Sequence, residues 1–65
     1  MNIESLKIEV QTHADRGNYH AAINIALSGL NASVRQQDQA STDRCLSLIE
    51  AVVQQLAHEF GSKDY

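Results

Sequence analysis

The sequence predicts an all-α domain built from three helices. It has no proline and only three glycines among 65 residues, so few residues interrupt a helix. Its apolar residues recur at steps of three and four, which is the spacing of one helix face, and no stretch shows the alternation of a strand. A chain of this length forms one domain, close to the size at which an apolar core alone barely outweighs chain entropy.

The first helix is predicted over residues 3–16. Asn2 can cap its first turn, and Glu4 adds negative charge near the positive end of the helix dipole. The face that repeats at helical spacing consists of Ile3, Leu6, Val10, Ala14 and Gly17. Ile8 lies about 140° from Ile3 at roughly 100° per residue, so we expect it to be exposed unless a partner covers it.

The second helix is predicted over residues 19–36, after a turn at Gly17-Asn18. Glycine suits the left-handed position that follows a helix, and asparagine suits the cap of the next helix. One apolar stripe of this helix predicts its core face. The stripe consists of Tyr19, Ala22, Ile23, Ala26, Leu27, Leu30 and Val34.

A second stripe of mostly smaller residues points away from the first, which predicts that the helix packs on two sides. This seam consists of Ala21, Ile25, Ser28, Gly29 and Ala32. Gly29 in mid-helix costs about 1 kcal/mol relative to alanine. It is either simply tolerated or present because another helix approaches closely.

The third helix is predicted over residues 42–60. Asp38 and Ser41 are both candidate caps in the polar run before it, and Ser41 is favoured. Its apolar residues span about half of the circumference at 100° per residue, so we expect it to meet two neighbours. These residues are Cys45, Leu46, Leu48, Ile49, Val52, Val53, Leu56 and Phe60. Gly61 ends the helix, and residues 62–65 are predicted to form a flexible tail.

No catalytic, cofactor-binding or metal-binding signature occurs, so we expect a protein that is not an enzyme. The histidines at 13, 20 and 58 fall on three different predicted helices and form no ligand pair with Cys45. His13 is interpreted as a residue at the core boundary, and Cys45 as a small buried apolar residue rather than a reactive thiol. A metal shared across a dimer is the alternative.

Charge argues against nucleic acid as the partner. The five basic residues are scattered, and eight acidic residues give a net charge of -3, whereas phosphate binding needs a basic stripe. A nucleic-acid-binding regulator of helical-bundle type stays the alternative, because a dimer could gather Arg35 and Arg44 into one patch. No stretch approaches the roughly 20 apolar residues of a membrane span, and the single cysteine suits a reducing compartment, so we expect a cytoplasmic protein.

Ile8, the seam of the second helix and the wide face of the third helix together offer more apolar surface than three short helices can bury, which favours protein contact. We expect a homodimer in which the second and third helices form a bundle-like core. The predicted interface residues are Ile8, Tyr19, His20, Ala21, Ile25, Ala32 and Arg35.

Two resemblances add to this interpretation. The segment from Gly17-Asn18-Tyr19 to Gly29-Leu30 resembles the turn and second helix of a tetratricopeptide repeat, although Gly29 stands where alanine is usual and the first helix lacks the Leu-Gly pair. This implies a helical hairpin and not a peptide-binding groove. Over its whole length the chain is similar to the short helical accessory proteins of lambdoid phages and enterobacterial prophages. That resemblance implies an early or regulatory protein that binds a host protein.

Overall fold

A computed structural model describes residues 2–61 and shows three helices. They are α1 (Ile3–Asp15), α2 (Tyr19–Arg35) and α3 (Gln39–Glu59). No strand occurs between residues 2 and 61, so the predicted all-α fold is confirmed. The tail predicted at residues 62–65 lies outside the described residues.

The two loops are built in the same way. Two residues after α1 and α2 end, the chain adopts a left-handed backbone, at Gly17 with φ 80° and at Gln37 with φ 56°. In both loops the N–H of this residue and the N–H of the next residue donate to carbonyls of the preceding helix at 2.9 to 3.0 Å, which satisfies groups that a helix end leaves unpaired. The side chains of Asn18 and Asp38 then cap α2 and α3.

The start of the third helix corrects the sequence prediction. The helix begins at Gln39 rather than at residue 42, and its cap is Asp38 rather than Ser41. One carboxylate oxygen of Asp38 accepts from the backbone N–H of Ser41 at 3.1 Å, and the other accepts from the Ser41 hydroxyl at 2.8 Å. Ser41 therefore lies in the first turn of α3, because its backbone N–H and its hydroxyl both donate to the Asp38 carboxylate.

The core between the helices consists mainly of small side chains. The buried apolar residues are Val10, Ala14, Tyr19, Ala22, Ala26, Cys45 and Val52. Within residues 2–61, no leucine, isoleucine or phenylalanine belongs to this set. α2 makes the most contacts with the other two helices, and α1 and α3 also contact each other.

Gly29 is the point of closest approach. A Cβ atom added there would lie 2.5 Å from Cδ2 of Leu6 on α1 and 3.3 Å from Sγ of Cys45 on α3. Both neighbouring helices therefore reach the backbone of α2 at this position. Of the two interpretations of Gly29, the structure supports close approach.

Candidate functional site

The candidate catalytic and metal-binding side chains are the three histidines and Cys45. Cys45 is fully buried, with its sulfur 3.9 Å from the hydroxyl of Ser33, so it packs as the small buried residue that was predicted. His13 is half-buried, as expected of a residue at the core boundary. The part of the chain that the structure describes holds no group of three or more His, Cys, Asp or Glu that could bind a metal ion.

The seven predicted interface residues do not form one patch. Ile8, His20 and Arg35 are exposed. Ala21, Ile25 and Ala32 are half-buried, and Tyr19 is only 8% exposed. Ile8 is 66% exposed on α1, so its predicted exposure is confirmed.

Tyr19 belongs to the core rather than to a free surface. Its hydroxyl donates a hydrogen bond to the carboxylate of Glu59, and its ring packs edge-on against Phe60 with the ring centres 6.1 Å apart. The hydrogen bond to Glu59 is the main cause that raises the pKa of Tyr19 above its ordinary value. These contacts join the start of α2 to the end of α3. Tyr19 is therefore a core residue, whereas it was predicted to be an interface residue.

The seam on α2 is not a free surface either. This corrects the part of the interface prediction that concerns Ala21, Ile25 and Ala32. Ile25 packs against the buried core, and Gly29 contacts Leu6 of α1. The seam thus lies on the side of α2 that faces α1. The line of α2 that is most buried takes Tyr19, Ala22 and Ala26 from the predicted core stripe and Gly29 from the seam, and it also includes Ser33. The larger residues Leu27 and Val34 of the predicted core stripe are exposed.

The surface that is left over lies on α2 and α3. Five large apolar side chains there are 40 to 70% exposed: Leu27, Val34, Leu46, Val53 and Phe60. Four half-buried apolar residues lie between them along the same two helices: Ile23, Leu30, Ile49 and Leu56. Ile23, Ile49 and Leu56 also pack against the core, so they join the exposed residues to it. We call these nine residues the open face.

The open face lies on the side of the hairpin away from α1. On α3, Gln55 marks the side that faces α1, because its amide lies 3.1 Å from the Gln11 side chain. Val53 is two residues from Gln55 and therefore about 160° around the helix at 100° per residue. On α2, Leu27 is likewise two residues from Gly29 and therefore about 160° around the helix from it. Gly29 is the residue that contacts α1. α1 therefore does not cover this surface.

The open face continues along the whole hairpin. Gly29 lies beside Cys45, and Tyr19 lies beside Phe60, so α2 and α3 run antiparallel. The open face follows steps of four and three residues on both helices, at 23, 27, 30 and 34 and at 46, 49, 53, 56 and 60. This is the spacing of a seam between packed helices.

The same spacing could have revealed the open face from the sequence. Leu46, Val53 and Phe60 are seven residues apart, as are Leu27 and Val34. Leu27 and Val34 were predicted to lie on the core face of α2, because an apolar stripe on a small domain is expected to face its own neighbours. The prediction that α3 meets two neighbours is confirmed, since it contacts both α1 and α2. The outer part of its broad apolar face is nevertheless exposed at Leu46, Val53 and Phe60.

A second feature is an open groove of about 480 Å³ between α1 and α3. It is lined by Ile3, Glu4, Lys7, Gln11, Asp43, Arg44, Ser47, Leu48 and Ala51. Two acidic and two basic side chains are present, so the groove has no single charge that would select one class of ligand.

No protein-family model, curated protein or solved structure matches this chain. Among residues 2–61, no helix combines the length and the apolar composition needed to cross a lipid bilayer. Among the described residues, the open face is the structural basis for a proposal of function.

Proposed function

We propose that this protein acts by binding other proteins through the open face of α2 and α3. The observation that supports this is the row of five large apolar side chains that are 40 to 70% exposed on one side of the hairpin. Contiguous exposed apolar surface of this kind marks sites of protein contact. Full burial of one such side chain contributes about 1.5 to 3 kcal/mol, so several together are enough to hold a partner.

A protein suits the open face better than nucleic acid does. None of its nine residues is lysine or arginine, and the chain has a net charge of -3. Nucleic-acid affinity depends largely on neutralising phosphates with basic side chains. A nucleic-acid-binding regulator is therefore the weaker candidate.

The class of partner follows from the resemblance to phage and prophage accessory proteins. We propose a host protein as the target and the cytoplasm as the place of action, in agreement with a single cysteine that is fully buried. In this proposal the chain regulates by occupying a surface of its target, and it binds without catalysing a reaction.

Photo-cross-linking in enterobacterial cells tests this function. A photo-reactive amino acid replaces Val53 in one variant and Ile8 in a matched control. Ile8 is apolar and more exposed than Val53, but it lies on α1 outside the open face. We expect illumination to give protein adducts from position 53, and mass spectrometry identifies the attached protein.

Two outcomes would contradict this proposal. In the first, position 53 gives no more protein adduct than an exposed surface position such as Glu50. In the second, adducts form more strongly from position 8 than from position 53. Either result would show that the open face is not where the protein binds.

A further inference from the structure

The buried core is small for a chain that folds alone. Its largest fully buried side chains are Val10, Val52, Cys45 and Ser33. A domain of about 60 residues buries only about 60% of the surface that its unfolded chain exposes, and natural small domains often add a disulfide, a metal or a second chain. Cys45 is free, and no metal-binding cluster lies within the described residues. A second chain is the remaining source of burial.

The open face has the pattern that a helical bundle uses. Both helices carry their exposed apolar residues at alternating steps of four and three, and the two helices are antiparallel neighbours. In a four-helix bundle, such seams from two hairpins interdigitate around a common core. The molecule is elongated, since its Cα atoms extend over 40 × 23 × 15 Å.

We propose that a second copy of this chain covers the open face, in a two-fold homodimer whose central core is a four-helix bundle of two α2–α3 hairpins. This inference rests on the proposed function, because it identifies a second copy of the chain as one protein that binds the open face. The dimer buries Leu27, Val34, Leu46, Val53 and Phe60 of each copy against the same residues of the other.

Symmetry and charge favour a second copy over an unrelated protein. Two-fold dimers place one self-complementary patch against itself, and an antiparallel hairpin with two matching apolar rows has that property. With the two-fold axis parallel to the helices, α2 of one copy packs antiparallel to α3 of the other. None of the nine residues of the open face is charged, so placing this face of one copy against the same face of the other buries no charge and brings no like charges together in the seam.

The target that we propose binds the same open face. The homodimer and the complex with the target therefore exclude each other, and a target must displace the second copy to bind. α1 lies outside this surface, with Ile8 exposed.

Sedimentation equilibrium of the purified full chain tests the homodimer. We expect the wild type to have a mass of about 14.4 kDa, which is twice the 7.2 kDa of one chain. Val53→Glu and Leu46→Glu each place a carboxylate in the buried seam, so we expect each to raise the dimer Kd by roughly a hundredfold or more. Ile8→Glu is the matched control, because the same change at a more exposed residue outside the open face should leave the Kd unchanged.

Circular dichroism of each variant separates loss of the interface from loss of the fold. A wild type that stays at 7.2 kDa up to about 0.5 mM, or a Kd that Ile8→Glu raises as much as Val53→Glu does, would overturn the homodimer. A monomeric wild type would not by itself overturn the proposed function, because cross-linking from position 53 detects a bound protein of any identity.

Discussion

Gln37 and Gly17 occupy equivalent positions in the two loops but differ in backbone freedom. Gln37 has φ 56°, in the left-handed region, where its Cβ atom is unfavourable. We predict that Gln37→Gly raises the free energy of unfolding by about 0.5 to 1 kcal/mol. Urea denaturation followed by circular dichroism measures the change.

Gly17→Ala is the control for that prediction. It introduces a Cβ atom at φ 80°, in space where no neighbouring atom lies within 4 Å, so any loss of stability comes from the backbone alone. We expect a loss of about 1 kcal/mol. A Gln37→Gly variant that is less stable than the wild type would show that Gln37 does not hold the strained conformation.

The cap at Asp38 makes stability depend on acid pH. The hydrogen bond from the Ser41 hydroxyl, followed by that from the Ser41 backbone N–H, holds the pKa of Asp38 below its ordinary value. A carboxylate with a lowered pKa in the folded state adds stability above its unfolded pKa of about 3.9, and this stability disappears as the pH falls through the folded value.

Asp38→Asn tests this dependence, because asparagine also caps helices but does not titrate. We expect thermal unfolding of the wild type to lose more stability between pH 5 and pH 3 than the variant does. Equal losses in both proteins would contradict the role of the Asp38 charge. Ser41→Ala should reduce the difference, since it removes the strongest cause of the lowered pKa.

Among the elements, α2 determines how closely the helices pack. Beyond Tyr19, its buried line consists of alanine, glycine and serine, and the Ser33 hydroxyl donates to the carbonyl of Gly29 at 2.9 Å. Small side chains allow α1 and α3 to approach the α2 backbone, so they leave no room for added atoms. The larger apolar residues of α2 are displaced to either side of this line.

Gly29→Ala is predicted to destabilise the domain by about 1 to 3 kcal/mol, although alanine is the better helix former. The new Cβ atom would lie 2.5 Å from Cδ2 of Leu6 and must displace it. Chemical denaturation of Gly29→Ala, Leu6→Ala and the double variant provides a double-mutant cycle. We expect the double variant to be more stable than the sum of the single losses by at least about 0.5 kcal/mol.

Strict additivity in that cycle would contradict the predicted contact between Leu6 and Gly29. A Gly29→Ala variant more stable than the wild type would contradict it more strongly. In that case the gain in helix propensity would outweigh the crowding, and Gly29 would be a merely tolerated glycine.

The sequence was sufficient to predict the three helices, because apolar spacing and the turn at Gly17-Asn18 depend on local chemistry. It was insufficient to predict which of Asp38 and Ser41 caps α3, since both residue types can cap a helix. The choice depends on the hydrogen bonds that the Asp38 carboxylate accepts in the folded structure. It also misplaced the buried line of α2. That line takes residues from both predicted stripes, and the closer packing of small side chains outweighs the burial of larger ones such as Val34.

At the scale of the whole molecule, the open face exists because α1 packs on one side of the α2–α3 hairpin. α1 occupies the side marked by Gly29 and Gln55, and the opposite side has no helix of this chain against it among residues 2–61. Periodicity identifies apolar stripes but not the side on which a third helix packs. For that reason the sequence indicated a surplus of apolar surface and assigned it to the wrong side of α2.

We propose that protein bound at the open face completes the domain, and that the first such protein is a second copy of the chain. Light scattering of the wild type over a range of concentrations measures this most directly. We predict a mass that rises towards about 14.4 kDa, twice the 7.2 kDa chain mass. A mass of 7.2 kDa at every concentration up to about 0.5 mM would contradict self-association.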